Sequence, residues 1–123
     1  MKKIIERNVL GQELKFCCKS PITGFFRDGF CRTGNSDYGM HIVCAIITEQ
    51  FLKFTQSCGN DLSTPNNLYR FPGLKPGDKW CLCALRWKEA WRSAMAPLID
   101  IEATHEKVLQ IIDKNLLLEY MVK

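Results

Sequence analysis

No stretch of the sequence approaches the ~20 consecutive apolar residues that a membrane-spanning helix needs. Histidine is scarce: His41 and His105 are the only two, so imidazole chemistry has few candidates. Charge of one sign is nowhere concentrated. The 17 basic and 13 acidic residues leave a formal charge of +4, and the excess lies in residues 1–40, which hold 7 basic and 4 acidic side chains. That is no basic stripe of the kind a dedicated nucleic-acid binder carries. The glycine-rich dinucleotide and phosphate loops, the Gly-x-Ser-x-Gly elbow and the His-Glu-x-x-His zinc motif are all missing, so none of those chemistries is indicated. Glycine is absent after Gly77, and proline after Pro76 except for Pro97. The start, Met1 to Ile5, imitates a signal peptide, but Glu6 and Arg7 interrupt its apolar region, so a cytoplasmic chain is expected.

What is present is one domain's worth of chain. At 123 residues, 46% apolar and 24% charged, the composition fits a single compact unit over residues 1–123 and excludes a disordered or fibrous chain. Seven cysteines are many for this length: Cys17, Cys18, Cys31, Cys44, Cys58, Cys81 and Cys83. An odd count without a secretion signal argues against a disulfide framework, and buried thiols packing the core are expected instead.

The chain divides into a turn-rich front and a regular back. Four glycines fall between Gly24 and Gly39. His41 to Ile47 is a nearly continuous apolar run, expected to be a strand covered on both faces. Thr48 reads as the N-cap of a helix carrying Phe51, Leu52, Thr55 and Cys58, with Gly59 as its stop. A long turn-rich segment over residues 59–79 follows, and such loops are often functional. Trp80 to Trp87 alternates as a second strand, residues 88–95 as a short helix, Leu98 to Ala103 as a third strand, and Thr104 as the cap of a final helix. An edge strand near Val9-Leu10 would complete the sheet. The expected class is α/β: a small, mostly parallel sheet of three to four strands flanked by helices. The apolar tail Leu116 to Val122 exceeds what one helix face needs, which points to a homodimer through that helix or to packing across the domain.

Four stretches carry a family pattern. They are Pro21–Cys31 (Pro-Ile-Thr-Gly-Phe-Phe-Arg-Asp-Gly-Phe-Cys), Gly39–Ala45 (Gly-Met-His-Ile-Val-Cys-Ala), Gly59–Pro65 (Gly-Asn-Asp-Leu-Ser-Thr-Pro), and Phe71–Asp78 continuing through Trp80–Ala84 to Arg86-Trp87. Ala103-Thr104-His105 is a smaller echo. From about Asn8 to Tyr120 the chain resembles the small bacterial family catalogued as domain of unknown function 2237. The resemblance implies one domain and transfers no activity. The chain departs from the pattern at Ser93–Leu98, where a glycine and often a double proline are expected; that bears on the turn between helix and strand.

Three functional readings follow from the residues. The first is a small-molecule pocket built by polar loop residues Arg27, Asp28, Cys31, Asp37, His41, Asn60, Asp61 and Asp78, expected to converge on one concavity. Such Asp and Asn side chains also fix turns through their own backbone, and Arg27-Asp28 reads equally as a loop ion pair. The second is a thiol- or metal-dependent enzyme using Cys31, Cys81 or Cys83 with His41. Cys31 lies near Arg27, whose positive charge favours a thiolate. His41 suits general acid–base work because imidazole titrates near neutrality. Cys81-x-Cys83 has a one-residue spacer, and its sulfurs would stand roughly 7 Å apart on a strand, so no metal site is assigned. The third is an interaction module that dimerises through the C-terminal helix. Trp87 and Trp91, spaced like Lys88 and Arg92, could stack on single-stranded nucleic acid, but aromatics at helical spacing more often fill a core. No cofactor is specified.

Overall fold

The computed structural model describes residues 5–122; of the run considered above as a leader, residues 1–4 lie outside it. β1 spans His41–Ile46, where consecutive apolar side chains are buried on both faces. Ile47 ends the run, and the Thr48 hydroxyl accepts the Phe51 N–H (3.1 Å), starting α1, Glu49–Ser57, as expected for an N-cap. Phe51, Leu52 and Thr55 form its buried face. Gly59, at φ 88°, takes the left-handed turn just past the helix.

The chain returns through a long loop holding one short 3-10 turn, Asn67–Tyr69, and enters β2, Lys79–Cys83. β2 runs antiparallel to β1, with His41 opposite Cys83, Cys44 opposite Cys81 and Ala45 opposite Trp80, and with an irregularity between His41 and Val43. The strand expected to reach Trp87 stops at Cys83, and α2, Ala84–Arg92, begins at the next residue. Ala84, Leu85, Arg86 and Lys88 are strong helix formers. Ala84, Trp87 and Ala90, three apart, supply one buried stripe. Over so short a window this period competes with the alternation, and burial of Trp87 decides between them.

The mostly parallel sheet of three to four strands is therefore corrected. Among the described residues the sheet has two strands and they are antiparallel. The segment from Leu98 lies beside β1, through Ile46 N–H to Leu98 C=O (2.9 Å) and Asp100 N–H to Cys44 C=O (2.8 Å), but it forms only an isolated bridge at Ile99. It then coils into a 3-10 turn, Ile101–Ala103, because the Asp100 carbonyl turns to accept the Thr104 hydroxyl (2.8 Å). Val9-Leu10 is a turn, flanked by isolated bridges of Arg7 with Glu13 and of Asn8 with His105 rather than by a strand. The final helix expected from Thr104 is split. His105 caps a 3-10 helix, Glu106–Gln110, and Asp113 caps α3, Lys114–Glu119. The apolar tail packs on its own chain: Leu117 is buried, and the Tyr120 ring meets Trp87 edge-on at 5.2 Å. The Tyr120 carbonyl and the Val122 N–H bond Ile99.

The disulfide-free expectation is also corrected. Cys17 is bonded to Cys44 and Cys31 to Cys81; Cys18, Cys58 and Cys83 are free. Cys44 and Cys81 face each other across the sheet, so the two bonds lie side by side and tie the irregular front of the chain to β1 and β2. Cys31, the nucleophile candidate of the thiol alternative, is fully buried, as expected of most of the thiols, and is bonded to Cys81.

The departure at Ser93–Leu98 has a physical consequence. Met95 N–H bonds Ala90 C=O (2.8 Å) and Ala94 N–H bonds Trp91 C=O (3.0 Å), which is the paired closure that favours glycine at the residue after the cap. Here that residue is Ala94, held at φ 60°. Ala94→Gly is expected to raise stability by about 1 kcal/mol, since alanine is strained in this region. A urea midpoint that falls instead would show that the strain is absent.

Candidate functional site

At one end of the sheet a cavity of about 510 Å³ is lined by Gly24, Phe25, Arg27, His41, Asn60, Leu62, Tyr69, Trp80, Cys81, Leu82 and Cys83. Its floor is the β1–β2 pair and its walls are the loops around Gly24 and Asn60. The first wall is fixed to the floor by Thr23, whose buried hydroxyl accepts the Cys81 N–H (2.8 Å), and by the neighbouring Cys31–Cys81 bond.

His41 is held with particular care. Asp37 is buried, its side chain fully so. One of its carboxylate oxygens lies 2.6 Å from His41 Nδ1. The other accepts the His41 N–H (3.0 Å) and the Thr33 hydroxyl (3.1 Å). A carboxylate only accepts, so Nδ1 carries a proton, and in the neutral imidazole Nε2 presents the lone pair. Nε2 has no protein hydrogen-bond partner among the described residues, and the side chain is 42% exposed. Gly39 makes room for the ring: a Cβ there would come within 2.6 Å of His41 Cε1. Phe25 stacks over the imidazole with ring centres 6.5 Å apart.

Arg27 supplies the charge. Its guanidinium lies 5.0 Å from the centre of the Trp80 ring, a cation–π contact that orients it across the pocket. No carboxylate pairs with it among the described residues. Asp28, the ion-pair partner considered from sequence, bonds Arg32 instead (2.8 Å). Arg27 also adopts φ 55° and Met40, the neighbour of His41, φ 47°. Non-glycine residues in this region store strain and concentrate at functional sites.

Of the residues proposed from sequence, Arg27, His41 and Asn60 line this pocket, with Asp37 directly behind His41. Asn60 is anchored by its Nδ2 on the Thr55 hydroxyl (3.0 Å). Asp61 borders an adjoining depression with Arg27, Tyr69 and Trp80. Its carboxylate caps a turn, and the Thr64 hydroxyl, followed by the Ser63 and Thr64 N–H groups, holds its carboxyl below the ordinary aspartate range. Asp28 accepts the Phe30 N–H (3.1 Å) and borders a separate hollow with Glu6 and Arg32. Asp78 accepts the Lys75 N–H (2.8 Å) and fixes a turn. Cys31 lies beneath the wall in its bond to Cys81. The sequence reading left Trp80, Tyr69 and Leu62 out of the site, and placed Cys83 only in the thiol alternative.

The Sγ atoms of Cys17, Cys31 and Cys81 lie within 4.8 Å of one another. Three thiolates so placed suit one soft ion; as disulfide sulfurs they lack the charge to hold it. Trp87, part of the stripe considered for nucleic acid, is fully buried. Its indole N–H is used on the Pro97 carbonyl (3.0 Å).

A family model described as uncharacterized protein conserved in bacteria, domain of unknown function 2237, matches residues 7–121. No curated protein matches the chain. Among the described residues no helix is long and apolar enough to cross a membrane.

Proposed function

The chain belongs to that bacterial family of unknown function, and from that premise we propose that it binds a small organic anion in the pocket of Arg27, His41 and Asn60. One observation carries the reading: Arg27, without a carboxylate partner among the described residues, is held on Trp80 in the lining of a cavity that also includes Phe25, Leu62, Tyr69 and Leu82. The walls favour an apolar body and the guanidinium a carboxylate or phosphate. A cytoplasmic setting belongs to the same reading. The four bonded cysteines are each 5% exposed or less, which shields them from attack by small thiols. The homodimer has weaker support, because Leu117 and Tyr120 already find partners within the chain.

The test is a titration with a panel of aromatic and aliphatic carboxylates, read by Trp80 fluorescence and by backbone amide shifts. At least one member is expected to bind, with shifts confined to pocket residues. Arg27→Ala is expected to weaken it ten- to a hundredfold, roughly the 1.5–3 kcal/mol of a charge-assisted bond. If no carboxylate moves the pocket signals at millimolar concentration, the reading fails. A second reading, thiol-dependent catalysis in the same pocket, is favoured by the position of Cys83 across from His41.

A further inference from the structure

We infer that Cys83 is a nucleophilic thiol activated by His41, with Asp37 as the positioning residue, and that the pocket takes a small acyl ester or thioester carrying an anionic group. The inference rests on the anion-pocket reading for the identity of the substrate, though not for the reactivity of the thiol.

Three independent features meet at Cys83. It is the cross-strand partner of His41, at the irregular end of the β1–β2 ladder. Both residues line the same cavity. Cys83 is also the N-cap of α2, a nine-residue helix, and makes no capping bond there. In that position serine or aspartate would accept N–H groups of the first turn; the Cys83 thiol makes no such bond, so its sulfur is not used by the helix. The Asp37 carboxylate fixes the Nδ1–H tautomer of His41 (2.6 Å), so Nε2 is the proton acceptor. The third feature is availability: among the pocket's two cysteines, Cys81 is consumed by Cys31 and Cys83 is free.

The chemistry balances without a cofactor. The Cys83 thiol proton passes to His41 Nε2 as sulfur attacks the acyl carbon. The bond from that carbon to the leaving oxygen or sulfur breaks, and the imidazolium returns the proton to the departing group. Cys83 then carries the acyl group as a thioester. Water, deprotonated by His41, hydrolyses it to a carboxylate and restores the thiol. Arg27 stands in the same cavity to hold the anionic end of the substrate.

The decisive experiment compares the three free cysteines of the unaltered protein, since Cys18, Cys58 and Cys83 are all partly exposed. Under limiting iodoacetamide with peptide mapping by mass, Cys83 is expected to react at least tenfold faster than the other two. His41→Ala should remove that advantage while leaving Cys18 and Cys58 unchanged. Asp37→Asn should move the pH profile of Cys83 alkylation, which a purely structural role would not do. With para-nitrophenyl acetate, a burst of one nitrophenolate per chain and an acetyl group on Cys83 are expected, both lost in Cys83→Ser. Equal reactivity of the three thiols overturns the inference, as does a Cys83 rate indifferent to His41. Carboxylate binding retained in Cys83→Ser alongside inert thiols leaves the pocket standing and removes only the nucleophile. A fast Cys83 with no carboxylate binding removes the anionic substrate and keeps the thiol.

Discussion

Replacing Cys31 and Cys81 together by alanine is expected to cost about 4 kcal/mol, the loop-closure term for residues 50 apart in sequence. The companion bond closes 27 residues and is expected to contribute slightly less. Domains of this size are stable by roughly 5–15 kcal/mol in all, so opening both bonds should bring the protein close to unfolding. The reason lies in the front of the chain. Residues 5–40 form no helix or named strand among those described, and their main fastenings are the two disulfides, the Thr23 bond to β2 and a few backbone bonds to residues 102–106. Because Arg27 lies between Cys17 and Cys31, the pocket wall should loosen before the α1–α2 side does. Urea unfolding with and without a dithiol reductant checks the magnitude. Amide exchange under reduction checks the order, with protection lost first around Thr23 to Cys31. A midpoint that does not move would show that packing alone holds the front of the chain.

The second large effect is expected from Trp87→Ala, at about 4 kcal/mol, in the range for emptying a buried aromatic site. Trp87 is fully buried, meets Tyr120 edge-on and donates its N–H to the Pro97 carbonyl (3.0 Å). It thereby joins α2, the segment after Pro97 and the C-terminal tail. Truncation leaves a cavity and an unsatisfied carbonyl at once. Trp87→Phe should recover most of the packing and none of the hydrogen bond, so its cost should fall between those of the native and alanine proteins. The denaturation midpoints of the two variants test this, and equal losses would place the effect in the hydrogen bond alone. Since α2 begins immediately after Cys83, Trp87→Ala should also blunt the selectivity of alkylation at that thiol.

The site was partly legible beforehand. Arg27, His41 and Asn60 stand out because glycine-rich loops that carry charge are unusual in a short chain, and these three line one cavity. Asp28 and Asp78 have the same composition around them and cap turns instead. Nothing local separates the two outcomes, because an Asx turn and a ligand contact use the same side chain in the same kind of loop. Cys31 was the thiol alternative's candidate because it sits near Arg27 in sequence, though burial was the stronger expectation. It is inert because Cys81, fifty residues later, lies beneath it. The second strand was drawn too long for a related reason. Alternation and helical period both fit Trp80–Trp87, and the strand ends where Trp87 finds the core.

The sequence by itself determined β1, the Thr48 cap, α1 and its Gly59 stop, the turn-rich middle and the family. Each depends on neighbours within a few residues, where side-chain branching, capping oxygens and glycine's freedom act directly. Only the tertiary structure decided the antiparallel direction of the two strands, the pairing of four of the seven cysteines, and the placing of His41 opposite Cys83. Those rest on one long-range event, the registration of β2 against β1 across more than thirty intervening residues. That register is chosen by the summed burial of Ile42, Val43, Trp80 and Leu82 rather than by any residue's own preference.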